Sequence, residues 1–375
     1  MNKKILIISR SFYPVNSPRS FRTTELVKEF ARQGHKVTLL TVKKDKYHIP
    51  FGRKFAVTIK DIGPLKFNRI DLNGAGRVAR LLKRFIRRGL LLFFEYPDIE
   101  LMYRVKEALK NESGYDLLIS IAVPHPIHWG VAWAWKKRNS IAQTWVADCG
   151  DPYMGLELDS FNKLFYFKYL EKDFCRKADY ISVPLEKAKE GYYPEFRDKI
   201  KVIPQGFKFE DTEINPTGYN KYSVPSFAYA GGFIPGGRDP REFLEYLVSL
   251  DKQYKFILYT NSRYLVEPYV EMANGRIEIR DYIPRRELLK VLSGMDFLVN
   301  FENSTSLQLP SKLIDYYLTG RPVLSVESFD IDKEAIDEFL DGHYSKQYDY
   351  RDMDKYRIEN VCRRFLDLCR DEVLQ

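Results

Sequence analysis

The stretch Leu309–Leu324, LPSKLIDYYLTGRPVL, decides how the second half of the chain is read. It follows an apolar run, DFLVNF (Asp296–Phe301), of the kind a strand buried on both faces requires. Pro310 has a fixed φ and no amide hydrogen, so it fits the first position of a helix. Gly320 fits the left-handed residue that ends one, and Pro322 cannot continue it. With RPVLSV behind it, the segment is a strand–helix–strand unit. Lys312 and Asp315 lie three residues apart and share a face near the helix start. The free N–H groups and dipole of that end favour an anion. The lysine adds a charge for a phosphate, and the aspartate can accept hydrogen bonds from two hydroxyls. An ordinary capped helix with a surface Lys–Asp pair would carry the same spacing.

The alternation continues outward from this unit. Upstream of it, SFAYAGG, YKFILYT and RIEIRDYI read as strands, with REFLEYLVSL and RRELLKVLSG as helices between and after them. The polar segment Lys208–Pro225, with its two prolines, suits a linker. Before it, KILIIS (Lys4–Ser9) is a buried strand, Phe21–Gly34 a helix ended by glycine, and HKVTLLTV a second strand. DLLISIAV, a helix over Ile127–Lys137, QTWVADCGD, a helix over Phe161–Ala178, DYISVP, a further helix and IKVIPQG complete the first half. The expectation is an α/β chain of two doubly wound domains, 1–208 and 209–350, facing across a cleft. Tyr356, Ile358, Val361, Phe365 and Leu368 recur at helical spacing. They predict a C-terminal helix within 351–375, able to pack back on the first domain.

Bulk composition narrows the functional classes. The 375 residues carry 60 basic and 51 acidic side chains, a net +9 that favours an anionic partner. Aromatic residues reach 15%, which excludes a disordered chain. The four cysteines form no C-x-x-C pair, so no zinc site is predicted, and so few in this length suit a reduced, cytoplasmic setting. The apolar run at the N-terminus is too short for a signal peptide, and no window is long enough to span a bilayer.

LPSKLIDYYLTGRPVL resembles the nucleotide-sugar site of GT-B glycosyltransferases of the family-4 type, with its pattern P-S-K-x-x-E-Y-x-x-x-G-x-P-V. Four further stretches match in the same order. KILIISRSFYP with the helix after it looks like the family's first strand, loop and helix. TWVADCGDPY looks like D-x-x-D-P-W, with Tyr153 in place of Trp. KVIPQGFK resembles the I-P-N-G-F-D junction, and FAYAGGFIPGGRDPREFLEYL resembles Y-V-G-R-L-x-x-x-K-G-x-x-x-L-L-E-A. The resemblance covers nearly the whole chain. It implies an N-terminal acceptor domain, a C-terminal nucleotide-sugar domain, retention of anomeric configuration and no metal or other cofactor.

Carried over by position, Asp315 is the acid that holds the ribose hydroxyls. The family's first acid falls on Leu307, which cannot do that work; Asn303, Ser306, Gln308 and Glu302 are the polar residues nearby. Gly232 stands where the family has its phosphate-binding arginine, and Arg238 is the candidate replacement. The donor set implied is Gly231, Gly232, Arg238, Gln308, Leu309, Pro310, Ser311, Lys312 and Asp315. Asp151 could orient or deprotonate an acceptor hydroxyl, or merely cap a turn. His125 matches a region where the family often places a donor-contacting histidine. The D-x-D runs at Asp330 and Asp352 read as surface loops.

GRVARLLKRFIRRGLLLFFEYP (Gly76–Pro97) sets Arg77, Arg80, Lys83, Arg84, Arg87 and Arg88 beside an apolar stripe. Such a helix can lie in the headgroup layer of an anionic membrane, or pack on the first domain with a solvated basic edge. With Arg19, these residues are assigned to the acceptor and membrane side. The expected partners are a nucleotide sugar, a glycan or lipid-linked acceptor and an anionic membrane surface. Nucleic acid is not expected, since no stacking platform or recognised module is legible. The function expected is transfer of a sugar in cell-surface polysaccharide synthesis. A non-hydrolysing nucleotide-sugar epimerase and a non-catalytic transferase-like subunit are the alternatives.

Overall fold

The computed structural model describes residues 2–68, 70–71, 76–135, 141–155, 163–209, 222–302, 311–351 and 353–369, with only the backbone of Arg77 and Ser311. The chain divides into two units, Met1–Phe207 with Lys355–Gln375, and Lys208–Asp354. Of the sequence-predicted site residues, Gln308, Leu309 and Pro310 lie outside the described residues, as do Asn303, Ser306, Leu307 and Asp352.

The first unit holds β1 (Lys4–Ser9), β2 (Lys36–Thr41), β3 (Thr58–Asp61), β4 (Tyr115–Ile121), β5 (Ala142–Asp148), β6 (Tyr180–Val183) and β7 (Ile200–Val202). They form one sheet in the order β3-β2-β1-β4-β5-β6-β7, and every pair is parallel. The second unit holds β8 (Ser226–Ala230), β9 (Lys255–Tyr259), β10 (Ile277–Arg280), β11 (Phe297–Phe301) and β12 (Val323–Val326). Their order is β10-β9-β8-β11-β12, again all parallel. Helices α1 (Pro18–Arg32), α2 (Asp45–Phe55), α3 (Arg77–Phe94), α4 (Glu100–Ala108), α5 (Pro126–Ala134) and α6 (Phe167–Lys177) belong to the first unit. Helices α7 (Arg241–Ser249), α8 (Glu267–Met272), α9 (Arg285–Leu292), α10 (Ser311–Thr319) and α11 (Lys333–Leu340) belong to the second. The last helix, α12 (Ile358–Leu366), returns to the first.

Continuous apolar runs become central strands because both faces of a parallel sheet are covered. Ile7 of β1 faces Leu39 on one side and Ile119 on the other, and all three are fully buried. Helix α12 buries Ile358, Val361, Cys362 and Phe365 in the same cluster as Ile5, Ile7, Leu26 and Phe30. In the second unit, register puts Phe256, Phe227 and Phe297 in one row across β9, β8 and β11. Their rings stack at 4.6 and 4.5 Å between centroids. Two residues further along β8, on the same face, Tyr229 stacks on Phe233 at 4.6 Å.

Two expectations about elements are corrected, and one unassigned segment is filled. The helix expected between β6 and β7 is two short 3₁₀ segments, Glu186–Gly191 and Pro194–Lys199, because Pro194 interrupts the pattern. Helix α6 starts only at Phe167, later than Phe161. The segment between β2 and β4, not assigned from sequence apart from its basic stretch, supplies α2, β3, α3 and α4. All four cysteines are free thiols. No described helix is long and apolar enough to cross a membrane.

Candidate functional site: two unneutralised cations beside a glycine turn

The C-terminal end of β8 runs into Gly231 and Gly232. Gly231 has φ of 152°, and a Cβ there would lie 2.1 Å from Lys312 Nζ. Glycine is what lets the lysine side chain of α10 cross this backbone. At Gly232 a Cβ would meet only Ser262 Oγ, at 3.7 Å.

Lys312 Nζ donates to Tyr229 Oη at 2.7 Å, and the tyrosine hydroxyl donates to Gly232 O at 2.9 Å. Phe233, stacked on its ring, and Phe301, edge-on at 5.1 Å, fix the tyrosine, and the tyrosine aims the lysine. The near end of α10 is held a second time, by Ala230 N–H donating to Tyr316 Oη at 3.0 Å. Burial, with the nearby Arg238 guanidinium adding to it, lowers the Lys312 pKa to about 7. Among the described residues neither cation has an acidic partner. Asp239, next to Arg238, is taken by Arg241 at 2.6 Å. Arg238 Nε is buried without a hydrogen-bond partner. Two cations that repel one another are costly to hold together unless an anion joins them.

Asp315, expected free for hydroxyls, is paired with Arg285 of α9. Arg285 Nε and Nη2 reach one carboxylate oxygen, Oδ1, at 2.9 and 2.5 Å. Burial raises the Asp315 pKa on balance, although this pairing lowers it. Nothing in the spacing of Arg285 and Asp315, thirty positions apart, reveals the pair. Lys312, Arg238, Gly231, Gly232 and Asp315 all belong to the second unit.

The first unit has its own polar constellation at the C-terminal ends of β4 and β5. Asp148, which closes β5, is buried with Arg22 of α1. Nε and Nη2 of the arginine reach its two oxygens at 2.9 and 2.6 Å, and Ser182 Oγ donates at 2.7 Å. Burial alone would raise the Asp148 pKa; the guanidinium and hydroxyl outweigh it and hold the carboxylate below its ordinary range. Sequence reading passed over this pair. The signal was an acid closing the apolar run of β5.

Arg19 lies over Gly150, where a Cβ would collide with its guanidinium. It has no ion-pair partner among the described residues, and it sits one residue from exposed Asp151. His125, at the start of α5, is buried, with Nε2 unpartnered. Burial pushes its pKa down to about 3, opposed in part by the Asp151 backbone, so it is neutral at physiological pH. Its ring packs on Tyr153 at 5.0 Å, and Tyr153 Oη donates to Glu95 Oε2 at 2.7 Å, just past α3. The structure thus places Asp151, His125 and Arg19 together. Asp332, in the first D-x-D run, caps α11 by accepting from Ala335 N–H at 3.0 Å. Among the described residues no three His, Cys, Asp or Glu side chains cluster as metal ligands.

Glu171 completes this end. It is fully buried; Oε1 accepts from Tyr153 N–H at 2.9 Å, while Oε2 has no partner. Burial pushes its pKa up to about 7 against the opposing backbone amides. The unfolded chain releases this proton near pH 4.5. Between there and pH 7 the folded state binds more protons, so stability falls as pH rises through that window, by about 3 kcal/mol in total. Glu171→Gln is therefore expected to exceed the parent in stability at pH 8 by about 2–3 kcal/mol and to match it at pH 5. Urea unfolding at both pH values checks this; a gap of the same size at each would contradict it.

The basic segment forms the expected helix, α3. Val78, Leu82, Phe85 and Phe93 lie on one face and are exposed, Val78 to 80% and Phe85 to 75%. Arg80, Lys83, Arg84, Arg87 and Arg88 occupy the opposite face by helical spacing. The alternative of a helix that buries its apolar stripe against the unit is not what the structure has.

No family model matches the sequence, and no curated protein matches it. Solved structures do. TarM is similar with a TM-score of 0.60 at 11% identity, over 99% of each chain. The lipopolysaccharide outer core galactosyltransferase WaaB, in its apo form, gives 0.56 at 14%, over 97% of this chain and 98% of that one. An S. aureus TarM variant in complex with fondaparinux, alpha-GlcNAc-glycerol and UDP gives 0.55 at 12%, over 98% and 100%. At such identities the likeness is one of fold: the chain has the two-domain, Rossmann-like GT-B architecture of these glycosyltransferases.

Proposed function

We propose that this chain is a retaining glycosyltransferase. It takes a sugar from a nucleotide-sugar donor and gives it to a glycan or lipid-linked glycan acceptor, in cell-surface polysaccharide synthesis at the cytoplasmic face of a membrane. One observation carries the reading. Lys312 and Arg238 meet at the Gly231 turn with no described acid to neutralise them. That is the environment a diphosphate leaving group needs. As the glycosidic bond breaks, negative charge grows on the phosphate oxygens, and fixed cations stabilise it without reorganising. Gly232 and the first turn of α10, from Ser311, would bring backbone N–H groups to the same anion. Gln308 and Leu309 complete the assigned donor loop. Asp315 would receive the ribose hydroxyls once Arg285 yields. The UDP and alpha-GlcNAc-glycerol of the TarM complex, and the galactosyl transfer named for WaaB, support this reading.

The acceptor is assigned to the first unit. Asp151 is the candidate base or hydroxyl-orienting group, His125 a neutral hydrogen-bond partner, and Arg19 a cation for an anionic portion. No residue is required to bind a metal or cofactor.

The test is a panel of UDP-, GDP- and other activated sugars, scored for binding and for release of the nucleoside diphosphate with and without acceptor. One donor should bind, with release stimulated by acceptor. A donor interconverted without acceptor would favour an epimerase, and no binding at all would favour a non-catalytic subunit. Helix α3 would lie in the headgroup layer of an anionic membrane. Leu82→Asp with Phe85→Asp is expected to cut partition onto phosphatidylglycerol-containing vesicles by on the order of 10²-fold or more, since each side chain contributes about 1.5–3 kcal/mol of apolar burial. Co-sedimentation reads it out; unchanged partition would remove α3 from the account.

A further inference from the structure

A groove of about 320 Å³ opens on the first unit between the loop after β1 and helices α1 and α2, away from the residues discussed so far. Its floor is a run of aromatic rings. Tyr47 meets Tyr13 edge-on at 6.5 Å, Tyr13 lies against Phe51 at 5.7 Å, and Phe51 against Phe55 at 4.6 Å. Tyr13 is 44% exposed and Tyr47 36%, so two of the rings present themselves to solvent. Lysines stand over this floor: Lys46 is 5.4 Å from the Tyr47 centroid, and Lys54 is 5.3 Å from that of Phe55. Neither has an ion-pair partner among the described residues.

A second hollow of about 260 Å³ adjoins it through Tyr13. Thr41, the last residue of β2, lines that hollow. It is fully buried, and its hydroxyl has no hydrogen-bond partner. The Tyr13 backbone between the two is pinned by a 2.7 Å contact from His48 Nε2 to its carbonyl. The second hollow, lined by Arg10–Val15 after β1 and by Thr41, Val42 and Lys44 at the end of β2, lies at the C-terminal ends of those strands, the side on which open parallel sheets bind ligands.

We propose that this groove binds an anionic oligosaccharide, a glycan chain bearing carboxylates or phosphates, and holds it as the extended part of the acceptor. Ring faces take the apolar faces of sugar rings, which carry C–H groups and no net charge. Unpaired lysines attract the acidic substituents. A neutral glycan would use only the rings. A lipid surface would need a continuous apolar face, which lysines on both sides of the floor interrupt. That the glycan is the acceptor rests on the transferase reading; that the groove binds it does not.

The test is calorimetry on the full chain with hexagalacturonate, maltohexaose and an oligothymidylate of like charge, at low and moderate salt, with UDP, GDP and the other nucleoside diphosphates titrated in the same samples. Hexagalacturonate is expected to bind at least about tenfold more tightly than maltohexaose and to weaken with salt. Lys46→Gln with Lys54→Gln should lower its affinity about five- to tenfold, as two exposed ion pairs are removed, and flatten the salt dependence. Tyr47→Ala should lower binding of both glycans. UDP affinity should be unchanged in every variant. Equal binding of charged and neutral glycans, unaltered affinity in the lysine variant, or an oligothymidylate that binds as tightly as the uronate would overturn the proposal. Failure of every nucleoside diphosphate to bind, while the uronate binds, would sink the transferase reading and leave the groove standing.

Discussion

Lys312→Met is expected to lower kcat/KM by about 10²–10³-fold, the usual loss when one preorganised donor to a developing anion is removed. Methionine keeps the apolar length that packs on Tyr229 and removes only the charge and its hydrogen bonds. The same substitution should change a pH profile. Burial and Arg238 bring the Lys312 pKa down to about 7. A diphosphate favours the protonated lysine, so binding raises that pKa and takes up a proton. The sign follows: affinity for a nucleoside diphosphate should fall as pH rises from 7 to 9, by up to about tenfold per unit. In Lys312→Met the affinity should be weaker and flat over this range. Gly231→Ala should act alike, since its Cβ would take the place of Nζ, 2.1 Å away. Titrations at pH 7 and pH 9 check all three statements; a variant that binds as the parent does removes the lysine from the donor site.

Arg22→Ala is expected to be the most destabilising single change in the first unit, costing about 3–5 kcal/mol. It strands the Asp148 carboxylate in a fully buried position and takes a donor from the carbonyls of Ile203 and Pro204. The guanidinium also lies 5.5 Å from the Phe365 ring, so part of the packing of α12 goes with it. The double change Arg22→Met with Asp148→Asn removes both charges and should recover much of the loss, because the stranded charge is the larger part of it. The pair also gives the first unit an acid sensitivity of known sign. The folded-state pKa of Asp148 is depressed, so its contribution is present above the ordinary carboxylate range and is lost as pH falls through the folded value. Asp148→Asn should lack that component. Urea unfolding followed by a probe in the first unit reads each of these, and a cost below about 1 kcal/mol for Arg22→Ala would contradict the account.

The central strands were legible because each is an apolar run too short for a helix and bounded by glycine, proline or charge. KILIIS and DFLVNF need no tertiary information to be read. The region between β2 and β4 was not legible, because α2 carries an internal Pro50 and β3 is four residues with one half-buried side chain. At the site, sequence could name Lys312, Gly231 and Arg238, since local motif and helix polarity point to them. It could not show that Tyr229 aims the lysine or that Phe301 of β11 packs on Tyr229, because those contacts depend on how β8, β11 and α10 come together. The pairing of Asp315 with Arg285 and of Asp148 with Arg22 is likewise a long-range fact. Its place at the helix start and its match to the family motif marked Asp315 as a hydroxyl acceptor, and the fold set Arg285 against it.

The central claim is that the second unit holds a diphosphate between Lys312 and Arg238 at the Gly231 turn. A crystal of the full chain soaked with the nucleoside diphosphate that binds best tests it directly. The account predicts phosphate oxygens within hydrogen-bond reach of Lys312 Nζ and the Arg238 guanidinium, with ribose hydroxyls on Asp315 in place of Arg285. A nucleotide bound elsewhere, with Lys312 still bonded only to Tyr229 and Asp315 still held by Arg285, would contradict it.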